Sequence, residues 1–299
     1  MSHLGSVCRT QRAGFEAPRV EEFIHFYYRE GPMKPFLKWA GGKYRIVHRI
    51  KEQLPPGSRL VEPFVGSGAV FLNTDYPSYL LSDSNADLIN LFQVLKEEGE
   101  YFVQYCRGYF IPASNREEEY YRLRFQFNRS RDRKEKAALF LYLNRHGYNG
   151  LCRYNAAGEF NTPFGRYVKP YFPEKEMIYY ARKAQQAVFV CQDFRVAMVQ
   201  AKPGDVVYCD PPYVPLSSTA NFTEYSSGGF GLEEQIKLSE LAARLAEKGV
   251  PVLISNHDTE FVRQIYRGAQ LTSFKVRRFI SCNGDGRNKA GEVLALFGG

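Results

Sequence analysis

The sequence predicts an open α/β fold: a mainly parallel sheet flanked by helices and interrupted by a mainly helical insert. Three observations carry this. Short apolar runs of strand length recur at 60–65, 79–83, 187–192, 205–209 and 250–255, and most are followed by a helical pattern. Three of these runs end in a glycine turn, an acid or a proline pair, as strands do where the chain leaves a sheet. Between 88 and 173 the alternation stops and helical patterns follow one another.

The chain has 299 residues, 44% hydrophobic and 24% charged, enough for one large domain or a core with an insert. No apolar run reaches the roughly 18–20 residues of a membrane span, and the N-terminus shows no apolar signal core. The six cysteines, at 8, 106, 152, 191, 209 and 282, form no CxxC pair. A disulfide framework or a zinc site is therefore not expected. His257-Asp258 stands without further ligands and is a weak metal candidate.

Residues 1–32 are mixed polar with no clear periodicity. They read as an N-terminal extension, disordered or preceding a natural start at Met33. The stretch 36–43 holds the single tryptophan, Trp39, then Gly41-Gly42-Lys43 and a helix over 44–53. Lys43 on its own also reads as a solvated helix start.

Leu60-Val61-Glu62-Pro63-Phe64-Val65-Gly66-Ser67-Gly68 reads as strand and glycine turn, where backbone can approach a ligand. The next strand ends in Asp83, 17 residues past Gly66, the spacing of a ribose-binding carboxylate. Turn plus acid indicate an adenosine-type cofactor without separating a nicotinamide from S-adenosylmethionine. Asp83 also fits the N-cap of the helix beginning near Ala86.

The helices of the insert are expected at 86–96, 101–106, 117–128 and 134–145. A hairpin follows at 148–167, from its Asn-Gly and Ala-Gly turns between aromatic runs. From Glu100 to Phe172 there are 13 Lys/Arg and 7 Asp/Glu, so 13 − 7 = +6 of the net +8 lies here, among many Tyr and Phe. Basic and aromatic residues interleaved fit a polyanion whose bases are stacked or wedged apart.

The α/β pattern resumes with a helix at 174–186. The run Asp205-Val206-Val207-Tyr208-Cys209 is a buried strand, and Asp210-Pro211-Pro212-Tyr213 is its exit. A carboxylate, rigid carbonyls and an aromatic face suit a planar ring with an exocyclic amine, stacking being worth about 1–3 kcal/mol per base. Cys209 alternates away from Asp210 and reads as core, not as a nucleophile. The loop 217–231 is long enough for a lid. A helix at 232–248 and closing antiparallel strands at 269–280 and 292–297 complete the chain.

In this order the motifs resemble the DNA adenine methylases of the Dam family, the alpha-ordered N6-adenine methyltransferases. The likeness runs from about Met33 to the C-terminus and includes 141–154, 158–172, 217–222 and 253–259. The resemblance implies a Rossmann-like sheet of S-adenosylmethionine-dependent methyltransferases with an inserted target-recognition domain. The catalytic domain would be 33–87 and 174–299, and the recognition domain 88–173. Asp210, Pro211, Pro212 and Tyr213 would hold the target adenine and promote transfer. S-adenosylmethionine would lie against Trp39, Ala40, Lys43, Phe64, Gly66, Gly68, Asp83 and Asp210.

For the double-stranded DNA partner, the resemblance implies GATC recognition with the adenine flipped out. Arg153 would read a guanine and Lys38 the first guanine, while Leu151 and Pro163 would touch a thymine methyl. Tyr148 would wedge into the stack, Asn149 face the orphaned thymine and Tyr167 contact a base. Arg145, Asn155, Asn161 and Arg166 would bind phosphates. A monomeric cytoplasmic enzyme, associated with the nucleoid through DNA and needing no metal or membrane, is the implied whole. A nicotinamide-dependent oxidoreductase would leave Asp210-Pro211-Pro212-Tyr213 without a purpose. A non-catalytic DNA-binding protein would be expected to lack Asp210 or Tyr213.

Overall fold

Seven strands form one sheet in the order β3-β2-β1-β4-β5-β7-β6. They are β1 (Arg59–Glu62), β2 (Ser78–Asp83), β3 (Ala187–Cys191), β4 (Asp205–Cys209), β5 (Val252–His257), β6 (Gln270–Val276) and β7 (Ala290–Phe297). The computed structural model describes residues 31–213, 230–276 and 290–299. The expectations for 1–30, for the loop 217–229 and for 277–289 lie outside these residues. Met33–Gly299 is one compact unit.

Strands β1 to β5 are parallel, and β7 enters antiparallel between β5 and β6. The chain leaves β1 for one half of the sheet and returns through β4 to the other. The carboxyl ends of β1 and β4 therefore flank the switch point where ligands of such sheets bind.

Strand β4 is buried along its whole length, which explains the apolar run 206–209 that follows Asp205. Its residues alternate between two cores. Val206 and Tyr208 join Phe36, Phe71, Phe92, Phe189 and Tyr180 on one face. Val207 and Cys209 join Val61, Phe194, Leu238 and Ile254 on the other. Cys209 is thus a core residue, with its thiol pushed upward by burial. At the start of β4, Asp205 is paired with Arg59 of β1 at 2.5 Å, which ties the two central strands together away from the site.

The helices are α1 (Val47–Gln53), α2 (Ala69–Asn73), α3 (Ala86–Glu98), α4 (Glu100–Arg107), α5 (Glu117–Arg129), α6 (Arg133–His146), α7 (Glu174–Lys183), α8 (Phe194–Val199), α9 (Leu232–Glu247) and α10 (Glu260–Ile265). A 3-10 turn, Lys43–Ile46, precedes α1 and another, Ala184–Gln186, follows α7. Helices α8 and α10 span six residues each, too short to show a helical period in sequence. Their caps are legible afterwards: Asp193 accepts from the Arg195 N–H and Thr259 from the Val262 N–H.

The segment 88–173 does not build a core of its own. Tyr120, Phe127, Phe140 and Tyr142 are buried in the same cluster as the sheet residues Tyr79 and Phe189. The expected boundary at 87/88 falls inside α3. That helix bonds β3 through Gln93 and Lys96, and bonds α6 through Asn90 and Arg133. The arms expected as a hairpin at 148–167 form no continuous ladder: they meet in two isolated bridges, Gly147 with Phe164 and Tyr154 with Phe160, and in scattered backbone bonds such as that from the Asn161 N–H to the Arg153 carbonyl at 2.9 Å. Side chains add to these. Buried Thr162 donates to the Leu151 carbonyl at 2.9 Å, and its own carbonyl accepts from Tyr120 and Arg124, each at 3.0 Å.

Candidate active site

The exit of β4 is held from three directions. Lys43, on the turn before α1, reaches the Asp210 carboxylate at 2.7 Å and donates to the Gly41 carbonyl at 2.6 Å. Ser255 of β5 donates to the same Asp210 oxygen at 3.1 Å and lies 3.1 Å from the Tyr208 hydroxyl. Gln235 of α9 donates to the Pro212 carbonyl at 2.7 Å and is held in turn by buried Asn256 at 3.0 Å. The prolines fix the turn, and these groups fix where it points.

Lys43 is only 6% exposed, so it is not a solvated helix start. Its ammonium also lies 4.3 Å from the centre of the Tyr213 ring, whose edge meets His257 at 4.6 Å. Burial raises the Asp210 pKa above the ordinary carboxylate range, while Lys43 and then Ser255 oppose the rise. The Asp210 side chain keeps 21% of its surface, enough to meet a ligand.

Asp210 shares a pocket with Gly42, Lys43, Glu62, Phe64, Gly66 and Tyr208, at the paired ends of β1 and β4. Glu62 is 2% exposed, and its Oε1 has no hydrogen-bond partner. Burial first, and then the Asp210 charge, push its carboxyl well above the ordinary range. Sequence reasoning passed over Glu62. The signal was there: an acid closing a buried apolar run immediately before Pro63.

The glycine turn is shaped by what packs beneath it. Gly66 and Gly68 both have positive φ, 48° and 73°. A Cβ at Gly66 would come within 2.8 Å of the Trp39 indole, and one at Gly68 within 3.1 Å of the Tyr180 hydroxyl. Trp39 therefore lies on the turn. Ala40 is exposed and outside the pocket lining, whereas Phe64 lines the pocket and stacks on Phe194 at 5.3 Å.

Asp83 is not the cap of α3. Asn85 fills that position, accepting from the N–H groups of Asp87 and Leu88 at 3.1 Å each. Asp83 instead accepts from Gly66 N–H at 3.1 Å and Asn85 N–H at 3.0 Å, which joins the end of β2 to the glycine turn.

The residues expected at DNA form a separate group on 145–167 and Lys38. Tyr148 is 52% and Leu151 38% exposed, large apolar surfaces with no cover of their own. Arg153 is exposed, and its guanidinium is held by Asn161, whose side-chain oxygen accepts at 2.7 Å and whose carbonyl accepts at 3.2 Å. Asn161 thus orients Arg153. Asn155 closes its own turn, accepting from Ala157 and Glu159 N–H groups at 3.0 and 2.9 Å. Arg145 donates to the Tyr171 and Phe36 carbonyls at 3.0 and 3.4 Å. Exposed Arg166 lies 3.5 Å from Glu117, and Pro163 accepts from the Tyr148 N–H at 2.9 Å.

Comparison with known proteins settles the family. The model of the D12 class N6 adenine-specific DNA methyltransferases matches residues 39–280. The chain belongs to this family. Its relatives include the DNA adenine methylase of Escherichia coli K12, 55% identical over 264 residues, covering 88% of this chain and 95% of that protein. The DNA adenine methylase of Vibrio cholerae is 53% identical over 265 residues, covering 88% and 96%. That of Serratia marcescens is 54% identical over 265 residues, covering 88% and 98%. Membership implies S-adenosylmethionine as methyl donor and DNA as substrate. The sheet order, with antiparallel β7 inserted beside β5, is the Rossmann-like methyltransferase sheet that the sequence led one to expect. Among the described residues no helix is long and apolar enough to cross a membrane, and no cluster of three metal-ligating side chains occurs.

Proposed function

We propose that this protein transfers a methyl group from S-adenosylmethionine to N6 of adenine in double-stranded GATC, with the adenine flipped out of the helix. The observation that carries this reading is the juxtaposition of Asp210 with the Glu62–Gly66 pocket across the switch point. The name shared by relatives at 53–55% identity supports the substrate.

The pocket residues fit the donor. An unpartnered buried carboxyl oxygen on Glu62 suits an ammonium group, and Asp83 retains lone pairs for ribose hydroxyls beyond its two backbone donors. Phe64 and Gly66 supply apolar and backbone walls, and Trp39 packs against Gly66. When bound, S-adenosylmethionine supplies an electrophilic methyl on a sulfonium.

Adenine N6 is a weak nucleophile because its lone pair is delocalised into the ring. The Asp210 carboxylate and the Pro211 carbonyl accept its two hydrogens and favour a tetrahedral nitrogen with a free lone pair. Positive charge develops on N6 as transfer proceeds, a carboxylate is its electrostatic complement, and the surplus N6 proton is then released through Asp210 to water. Tyr213 stacks on the ring, and the proline-fixed turn holds the amine in line. The Lys43 ammonium occupies Asp210 in the free protein and fixes its rotamer before DNA arrives. No covalent protein intermediate is needed, in keeping with the core position of Cys209.

Residues 33–87 and 174–299 form the catalytic part of this scheme and 88–173 the recognition part. Tyr148 enters the stack where the adenine leaves, Asn149 faces the orphaned thymine, and Leu151 and Pro163 meet a thymine methyl. Arg153, held in orientation by Asn161, makes a bidentate contact to guanine O6 and N7. Lys38 reads the first guanine, and Arg145 and Arg166 neutralise phosphates.

The test is methylation of plasmid DNA in a strain lacking its own adenine methylase. Digestion by one endonuclease that cuts only methylated GATC and by another that cuts only unmethylated GATC reads the result. Protection confined to GATC is expected; methyl incorporation elsewhere, or none, overturns the reading.

A further inference from the structure

Helix α6 carries a buried amide that the scheme above does not use. Asn144 has no exposed surface. Its nitrogen donates to the Lys38 carbonyl at 2.7 Å and to the Gly150 carbonyl at 3.0 Å. Its oxygen accepts from the Lys38 N–H at 2.9 Å. Only one orientation of the amide satisfies all three, since reversal would set its NH2 against an N–H. One side chain thus joins the loop before the pocket, 106 residues away in sequence, to the loop 148–151.

The contacts continue into a closed ring. Gly150 has a φ of +67°, and a Cβ there would collide with the Lys38 Cβ, so the lysine stem lies flat on the glycine. The Lys38 ammonium sits 3.8 Å over the Tyr167 ring and donates to the Arg145 carbonyl at 3.3 Å. The Tyr167 hydroxyl accepts from the Asn149 N–H at 3.0 Å. Asn149 has a φ of 53°, uncommon for a residue with a side chain, and bonds on each side of it hold this conformation.

We propose that Asn144 is a positioning residue that couples recognition of the first base pair to extrusion of the adenine. It sets Lys38 and the Tyr148–Asn149 loop in one register. The inference rests on the reading of Lys38 and Tyr148 as DNA contacts. Lysine loses much rotamer freedom on ordering, and here its backbone and stem are fixed before DNA binds. A fully satisfied buried amide has one low-energy geometry, so displacement of either loop is felt by the other.

Two variants test this. Asn144→Asp keeps size and the acceptor for the Lys38 N–H but has no donor as a carboxylate and one as a carboxylic acid, so it cannot serve both carbonyls. Tyr167→Phe keeps the ring under Lys38 and removes the acceptor for Asn149. The measurements are kcat/KM on GATC and on duplexes altered at the first or last base pair, fluorescence of 2-aminopurine at the target position, and S-adenosylmethionine affinity. Expected is a loss of about tenfold in first-pair discrimination, with a smaller 2-aminopurine signal in the same variant. Discrimination at the last pair and cofactor affinity stay within twofold of the parent. Equal loss of rate on all duplexes, with first-pair discrimination and extrusion as in the parent, would make Asn144 structural only. Movement of one readout without the other would break the coupling. If Asn144→Asp does not fold, Asn144→Ser, which likewise cannot serve both carbonyls and the Lys38 N–H at once, carries the same comparison, and Tyr167→Phe reports on the Asn149 end of the ring alone. A parent enzyme without first-pair discrimination would overturn the role of Lys38 itself, and that outcome is visible before any variant is made.

Discussion

Replacing Lys43 by methionine removes one charge of the pair that holds Asp210 and keeps most of the lysine stem. The two groups lie 2.7 Å apart, and Lys43 is nearly buried. Breaking a buried pair from one side costs about 3–5 kcal/mol, because the remaining charge is stranded. Asp210 is still partly exposed and keeps the Ser255 bond, which places the expected loss near the lower end, about 3 kcal/mol at pH 8. The loss should depend on pH in a defined direction. Burial already raises the Asp210 pKa and Lys43 opposes it, so without Lys43 the folded-state value rises further. A carboxyl whose folded pKa is raised favours the folded state below its unfolded pKa and loses that contribution as pH rises through the folded value. The deficit of Lys43→Met should therefore be small near pH 5 and full near pH 8. Urea unfolding at both values reads it. The double variant Lys43→Met/Asp210→Asn, with no stranded charge, should regain more than half of the loss at pH 8. A pH-independent deficit, or no regain in the double variant, would refute the reasoning.

Three further outcomes follow from the geometry. His146 is buried, donates from Nδ1 to the Tyr142 carbonyl at 3.0 Å, and has its pKa lowered to about 4 by burial. A depressed base adds stability above its unfolded value and loses it as pH falls, so stability should drop by up to about 3 kcal/mol between pH 6.5 and 4. His146→Gln should flatten that slope in urea titrations. Arg153→Ala should cost about 1–3 kcal/mol at one base pair and relax specificity there; uniform weakening on all duplexes would make Arg153 a phosphate contact. Gly68→Ala must accept a φ of 73° and a 3.1 Å contact with Tyr180, so it should lose about 1–2 kcal/mol and weaken S-adenosylmethionine binding in calorimetry.

How far the sequence reached can be traced residue by residue. Strand β4 and its exit were legible because a fully buried parallel strand must be apolar throughout and two prolines must end it. The antiparallel closing strands and the long helices were legible for the same kind of reason: their periods extend over enough residues. Asp83 was found by spacing, though its bond to Gly66 and the capping by Asn85 needed coordinates. Lys43 on its own also fitted a solvated helix start, an alternative that local sequence does not exclude because its partner lies 167 positions later in the chain (210 − 43). Asn144 gave no signal at all, since an asparagine late in a helix is ordinary until two distant carbonyls converge on it. Asn161 was read as a phosphate contact, and the structure gives it a nearer partner in Arg153. Long-range polar contacts leave no period in sequence, and these make up most of what was missed.

The central claim is that Asp210 activates the adenine amine at the edge of the β1–β4 pocket. Single-turnover methyl transfer into a GATC duplex, at saturating S-adenosylmethionine and with folding checked by circular dichroism, compares Asp210→Ala with the parent. A fall of at least about a hundredfold in the rate of N6-methyladenine formation is predicted. A rate within tenfold of the parent would contradict the account.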